Sequence, residues 1–113
     1  MYFVYILSNN SNKVLYTGMT DNLCFRVQEH KLKLNEGFTS RYNVNKLIYF
    51  EEHESYDEAA VREKQLKAGS RMKKLQLIVK TNPDWHDLFH EILDKYNPEL
   101  EFEDCEQREA ISK

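Results

Sequence analysis

Tyr2-Phe3-Val4-Tyr5-Ile6-Leu7-Ser8 and, after a polar break, Leu15-Tyr16-Thr17-Gly18-Met19-Thr20 are the stretches that decide the fold. The first is β-branched and aromatic over the length of one strand. Asn9-Asn10-Ser11-Asn12 is a turn cluster, because short polar side chains tolerate left-handed backbone. Lys13 to Tyr16 reads as a second short strand ended by Gly18, giving a β-hairpin with a four-residue connection. Thr20 as N-cap and Asp21 at the positive end of a helix dipole predict a helix over about 21–33. In it Leu23, Val27 and Phe25 face the sheet, while Arg26, His30 and Lys33 follow another face.

Further along, residues 34–45 read as a loop, and Lys46 to Glu54 holds a third strand, Leu47-Ile48-Tyr49-Phe50. Ser55 and Glu58 form a capping box that opens a helix through Leu66, stopped at Gly69. Ser70 caps another helix through Leu75, Leu77 and Ile78. Asn82-Pro83 is a start signal for a last helix holding Trp85, Leu88, Phe89, Ile92 and Leu93. The order β-β-α-β-α-α-α predicts an α+β fold, a small three-stranded antiparallel or mixed sheet flanked by helices. Residues 1–95 form the expected domain and 96–113 an acidic C-terminal tail.

The formal net charge of -3 hides an asymmetry: residues 1–80 carry 13 Lys and Arg against 9 Asp and Glu, and residues 81–113 carry 3 against 10. A mildly basic body with an acidic end accompanies many nucleic-acid-binding proteins. The two cysteines, Cys24 and Cys105, fit no metal or disulfide spacing, which suggests a reducing compartment. With no signal-like or membrane-length apolar run, a cytoplasmic location is expected, without membrane association.

Hydrolysing a phosphodiester takes a cation to neutralise charge, a water and a group to orient or deprotonate it, and help for the leaving oxygen. Tyr5 and Tyr16 sit on neighbouring strands, Arg26 and His30 one helical turn apart, and Glu63 on the Ser55-capped helix. Spacing alone leaves packing open for the tyrosines and a solvated i,i+4 pair open for Glu63 and Lys67. His86 and His90 stand at a zinc-compatible spacing without a third ligand, and Cys24 has no paired histidine. With three scattered glycines there is no phosphate loop, so no small-molecule cofactor is expected. Nothing in the sequence names a protein partner.

A series of phrases in order resembles the GIY-YIG nuclease superfamily, in particular the small single-domain bacterial proteins of the YhbQ type. They are Phe3-Val4-Tyr5-Ile6-Leu7, Leu15 to Thr20, Leu23 to His30, Gly37-Phe38-Thr39, Leu47 to Glu51, Arg62 to Lys67, Ser70 to Leu75, and Asn82 to Trp85. Phe3 stands where the signature has Gly, and Thr17 where it has Ile. The resemblance implies metal-dependent cutting of DNA, on branched, nicked or irregular structures, in repair or recombination. It assigns Tyr5 and Tyr16 to the attacking water, Arg26 to the phosphate, His30 to a helper role, and Glu63 to a single Mg²⁺ or Mn²⁺. DNA contacts are expected from Lys31, Lys33, Arg41, Lys64, Lys67, Arg71, Lys73 and Lys74, with modest and salt-dependent affinity in a chain expected to lack a separate targeting domain. The competing readings are a non-catalytic nucleic-acid-binding domain and an adaptor acting through the acidic tail.

Overall fold

The computed structural model describes residues 1–34 and 37–96; the expected acidic tail, with Cys105, lies outside the described residues beyond Tyr96. Three strands, β1 (Tyr2–Ser8), β2 (Leu15–Thr20) and β3 (Lys46–His53), form one sheet in the order β2-β1-β3. Both pairings are antiparallel, with Tyr5 opposite Gly18 on one side and Phe50 on the other. The β1–β3 register slips between Ile6 and Leu7, which face Tyr49 and Leu47. Among the described residues five helices accompany the sheet: α1 (Leu23–Lys31), α2 (Phe38–Arg41), α3 (Tyr56–Ala68), α4 (Arg71–Thr81) and α5 (Phe89–Tyr96). Among the described residues, no helix is long and apolar enough to cross a membrane.

Central strand β1 is buried on both faces, so it reads as a continuous apolar run and not as an alternation. Phe3, Tyr5 and Leu7 pack with Leu23, Cys24 and Val27 of α1 and with Phe89, Ile92 and Leu93 of α5. On the other face, Val4 meets Ala59 and Leu66 of α3, and Ile6 meets Ile78 of α4. This is the α+β architecture expected, with helices on both sides of a three-stranded antiparallel sheet.

Local expectations fail where a side chain has a tertiary partner. Strand β2 begins at Leu15, not Lys13, which lengthens the hairpin connection, and it runs on through Gly18 to Thr20, with Gly18 paired to Tyr5. Asn22, not Thr20, caps α1 by accepting from Phe25 N, while Thr20 Oγ1 accepts from Asn22 N. Phe25 is 57% exposed, and Cys24 takes the buried position because α5 lies against that side of α1; its Sγ is 3.4 Å from Ile92 O. The expected loop contains one helical turn, α2, entered from Gly37 at φ +113°.

Ser55 does cap α3, accepting from Glu58 N. Asn82, by contrast, starts no helix. It closes α4 and is buried, donating to the carbonyls of Ile48 (3.1 Å) and His86 (2.8 Å) and accepting from His86 N (3.0 Å). These bonds hold a turn in which Trp85 has φ +57°, so α5 begins only at Phe89. His86 therefore lies outside the helix that carries His90, and the zinc-like spacing has no helical basis.

Thr17 is buried on β2, and its Oγ1 finds no hydrogen-bond partner. An unpaired buried hydroxyl costs about 1 kcal/mol or more. Thr17→Val keeps the shape and removes the polar atom, so it should raise unfolding stability by about 1 kcal/mol in chemical denaturation; a loss of stability would show that the hydroxyl is satisfied in solution.

Candidate active site

The site begins with a missing side chain. A Cβ placed on Gly18 would lie 2.6 Å from Tyr5 Oη, 2.7 Å from Tyr5 Cζ and 3.1 Å from Tyr16 Cε2. Only glycine lets the Tyr5 phenol lie across β2 at this point, and the ring is 1% exposed. Tyr16 lies opposite Leu7 on the same face of the sheet, its ring 6.4 Å from that of Tyr5 between centroids.

Helix α1 brings the imidazole of His30 against both rings, 6.1 Å from Tyr5 and 5.6 Å from Tyr16 between centroids. Tyr5 Oη is 3.3 Å from His30 Nε2, and His30 Nδ1 is 3.0 Å from Thr39 Oγ1 on α2. The three side chains form one buried hydrogen-bonded chain. Four residues before His30, Arg26 presents a guanidinium whose Nε is 3.4 Å from Glu29 Oε1 yet makes no hydrogen bond.

Glu63 enters from the other layer. Arg62 binds Glu51 of β3 at 2.7 Å through Nε and 3.3 Å through Nη2, which fixes the roll of α3. The next residue points about 100° away around the helix. Glu63 is 19% exposed and pairs with Lys67 at 3.2 Å. Its charge reaches the Tyr5 hydroxyl nonetheless: burial, Tyr16, Glu63 and Glu29 together push the phenol well above its ordinary value, against the opposing pull of Arg26. Tyr5 is therefore protonated at neutral pH. Burial and the Arg26 cation lower His30 from 6.5 to about 4, so its imidazole is neutral.

These five groups come from β1, β2, α1 and α3, and all lie within the stretch matched by a family model. Residues 1–76 match the GIY-YIG catalytic domain. The chain belongs to the GIY-YIG family. A UPF0213 protein of Syntrophus aciditrophicus is 43% identical over 83 residues, covering 73% of this chain and 93% of its own. One from Clostridium perfringens is 41% identical over 78 residues, covering 69% of this chain and 83% of its own. The solution NMR structure of a UPF0213 protein from Bacillus halodurans is similar over 77% of this chain and 93% of that one, at 27% identity and a TM-score of 0.49.

GIY-YIG is a nuclease family, and Tyr5, Tyr16 and His30 are brought together here. Phe3, in place of the signature glycine, is buried against Tyr96 with ring centroids 5.1 Å apart, so it exchanges one packing for another. Among the described residues no three His, Cys, Asp or Glu side chains form a metal-ligand group. Glu63 is a lone carboxylate with its Oε2 paired to Lys67, and one carboxylate as donor set fits an ion that keeps most of its waters.

The expected DNA-contacting cations are spread and unequally available. Lys31 is tied to Asp87 (2.5 Å) and to Asn45 O (3.0 Å), Lys67 to Glu63, and Arg71 to Asn12 O (3.1 Å). Lys33, Arg41 and Lys64 are exposed. Lys73 and Lys74 line a groove between α3 and α4 together with Arg62 and Lys80. Sequence reasoning did not single out Thr39 or the seat that Gly18 provides. The signal for Gly18 was its place in the Leu15–Thr20 phrase, and that for Thr39 its place in the Gly37-Phe38-Thr39 phrase, neither of which assigned a role.

Two outcomes follow from this geometry. Gly18→Ala should cost about 1–3 kcal/mol by overpacking and displace the Tyr5 ring; an unperturbed Tyr5 ring resonance in NMR would contradict the close approach. Because His30 is neutral when folded and binds a proton when unfolded, its stabilising contribution is present above pH 6.5 and is lost as pH falls towards 4. The full loss is on the order of 3 kcal/mol. A His30→Gln variant should lack this component, so the difference in stability between the two proteins should shrink across that window; a constant difference would refute the lowered value.

Proposed function

We propose that this chain is a divalent-metal-dependent endonuclease that hydrolyses phosphodiester bonds in DNA. The observation that carries the reading is the convergence of a protonated phenol, a neutral imidazole, a guanidinium and a carboxylate around the Tyr5 hydroxyl.

Each side chain has a distinct task. Arg26, whose side chain is 43% exposed, binds a non-bridging phosphate oxygen through its fixed fork of donors. Tyr5 and Tyr16 hold the attacking water. As that water loses a proton to the Tyr5 oxygen, the Tyr5 proton passes to His30 Nε2, 3.3 Å away. Burial and, after it, the Arg26 cation depress His30; phosphate bound at Arg26 offsets the second of these, so substrate partly restores the basicity of the imidazole. Glu63 would hold Mg²⁺ or Mn²⁺, which when bound supplies Lewis-acid neutralisation of the phosphate and leaving oxygen.

Exposed Lys33, Arg41 and Lys64 are the DNA contacts least committed elsewhere. Binding through so few cations is salt-dependent and weak in sequence preference. That favours substrates chosen by shape, such as branched or nicked DNA, and a role in repair or recombination within the cytoplasm.

The test is cleavage of supercoiled, nicked, branched and single-stranded DNA with Mg²⁺, with Mn²⁺ and with chelator. Cutting should require metal, and Glu63→Gln should abolish it while leaving the fold and salt-sensitive DNA binding intact. Arg26→Ala should lower the rate by about 10²–10³, as for loss of one preorganised electrostatic donor. Binding without cutting under every condition would establish a nucleic-acid-binding domain in place of a nuclease.

A further inference from the structure

We infer that Thr39 is a positioning residue: its hydroxyl accepts a hydrogen bond from His30 Nδ1–H and thereby holds the imidazole in the tautomer whose bare Nε2 faces the Tyr5 hydroxyl. The consequence for cleavage rests on the nuclease reading above; the tautomer itself does not.

A neutral imidazole between two hydroxyls can be hydrogen-bonded in either direction, and chemistry chooses between them. A phenol is a much stronger acid than an aliphatic alcohol, and a correspondingly poorer acceptor. The better donor, Tyr5, therefore gives its proton to Nε2, and the better acceptor, Thr39 Oγ1, takes the Nδ1–H. The reverse arrangement would ask the buried phenolic O–H to find another acceptor, while His30 Nε2 is the group within hydrogen-bonding distance of it. Burial and the neighbouring carboxylates also keep that phenol protonated.

Local backbone places Thr39 for this task. Gly37 has φ +113° and ψ -144°, a conformation that L side chains rarely adopt, and the chain turns there directly into α2. Thr39 is buried, its carbonyl accepts from Val44 N at 2.9 Å, and its side chain is directed at His30 nine residues earlier. A merely space-filling residue at this position would need no hydroxyl.

The chain also accounts for the proton during the reaction. Water gives one proton to the Tyr5 oxygen, Tyr5 gives its own to Nε2, and the resulting imidazolium keeps its Nδ1–H bond to Thr39 throughout. Once product has gone the relay reverses: Nε2 returns its proton to the Tyr5 oxygen, and Tyr5 gives its own to an entering water. In the other tautomer Nε2 already carries a proton and the transfer has no acceptor.

Imidazole nitrogen NMR of ¹⁵N-labelled protein at neutral pH tests this without DNA. The four histidines are distinguished by loss of one signal set in His30→Gln. In the wild type, His30 should show a protonated Nδ1 and a bare Nε2. Thr39→Val should convert it to the other tautomer or a mixture, and Thr39→Ser should restore the original state. In cleavage assays Thr39→Val should lower kcat at least tenfold with little change in KM, and Thr39→Ser should recover most of the rate. A wild-type His30 protonated at Nε2, or a folded Thr39→Val protein with unchanged tautomer, would overturn the inference. Should the wild type cut no DNA, the nuclease reading fails while the tautomer result still decides the role of Thr39.

Discussion

Strand β1 is hydrogen-bonded along both edges and buried on both faces, and the rest of the molecule is arranged about it. Its odd residues face α1 and α5 and its even residues face α3 and α4. A one-residue slip in pairing would exchange these two sets, so the register is held by the whole core at once. Tyr5 sits in the middle of this strand. Its position is consequently among the most rigid in the protein, and the hydroxyl is delivered to a fixed point over Gly18.

That rigidity matters because the site is built from opposed electrostatic demands. Burial and nearby negative charge hold the proton on Tyr5, while burial and Arg26 keep protons off His30. Donor and acceptor are thus poised on either side of one 3.3 Å contact, with neither charged in the resting protein. A neutral resting pair avoids the desolvation cost of a permanently ionised one.

Glu63 shows how much of such a site is tertiary. It is flanked in sequence by Arg62 and Lys64 and followed one turn later by Lys67, the usual surroundings of a solvated surface glutamate. The Arg62–Glu51 pair across to β3 fixes the helix face, and that leaves Glu63 mostly buried and within electrostatic reach of Tyr5. Asn82 teaches the same lesson from the opposite side. Followed by proline it has the form of a helix start, but three hydrogen bonds to Ile48 and His86 use it as a buried clasp.

The three strands, the Ser55 cap and the α+β class were legible in the sequence because they follow from local chemistry, whereas Tyr5, Tyr16, Arg26, His30 and Glu63 were candidates only. Apolar runs, capping residues and the order of short motifs act over a few neighbours, and resemblance to a family supplied the grouping that spacing alone left open. What only the tertiary structure decided depends on residues far apart in the chain. Phe25 turned outward because α5 came to lie beside Cys24. Strand β2 continued through Gly18 because Tyr5 covered it. Thr39 became the partner of His30 because α2 folded back on α1. Periodicity names which residues seek burial; the packed neighbours decide which of them obtain it, and which polar groups meet.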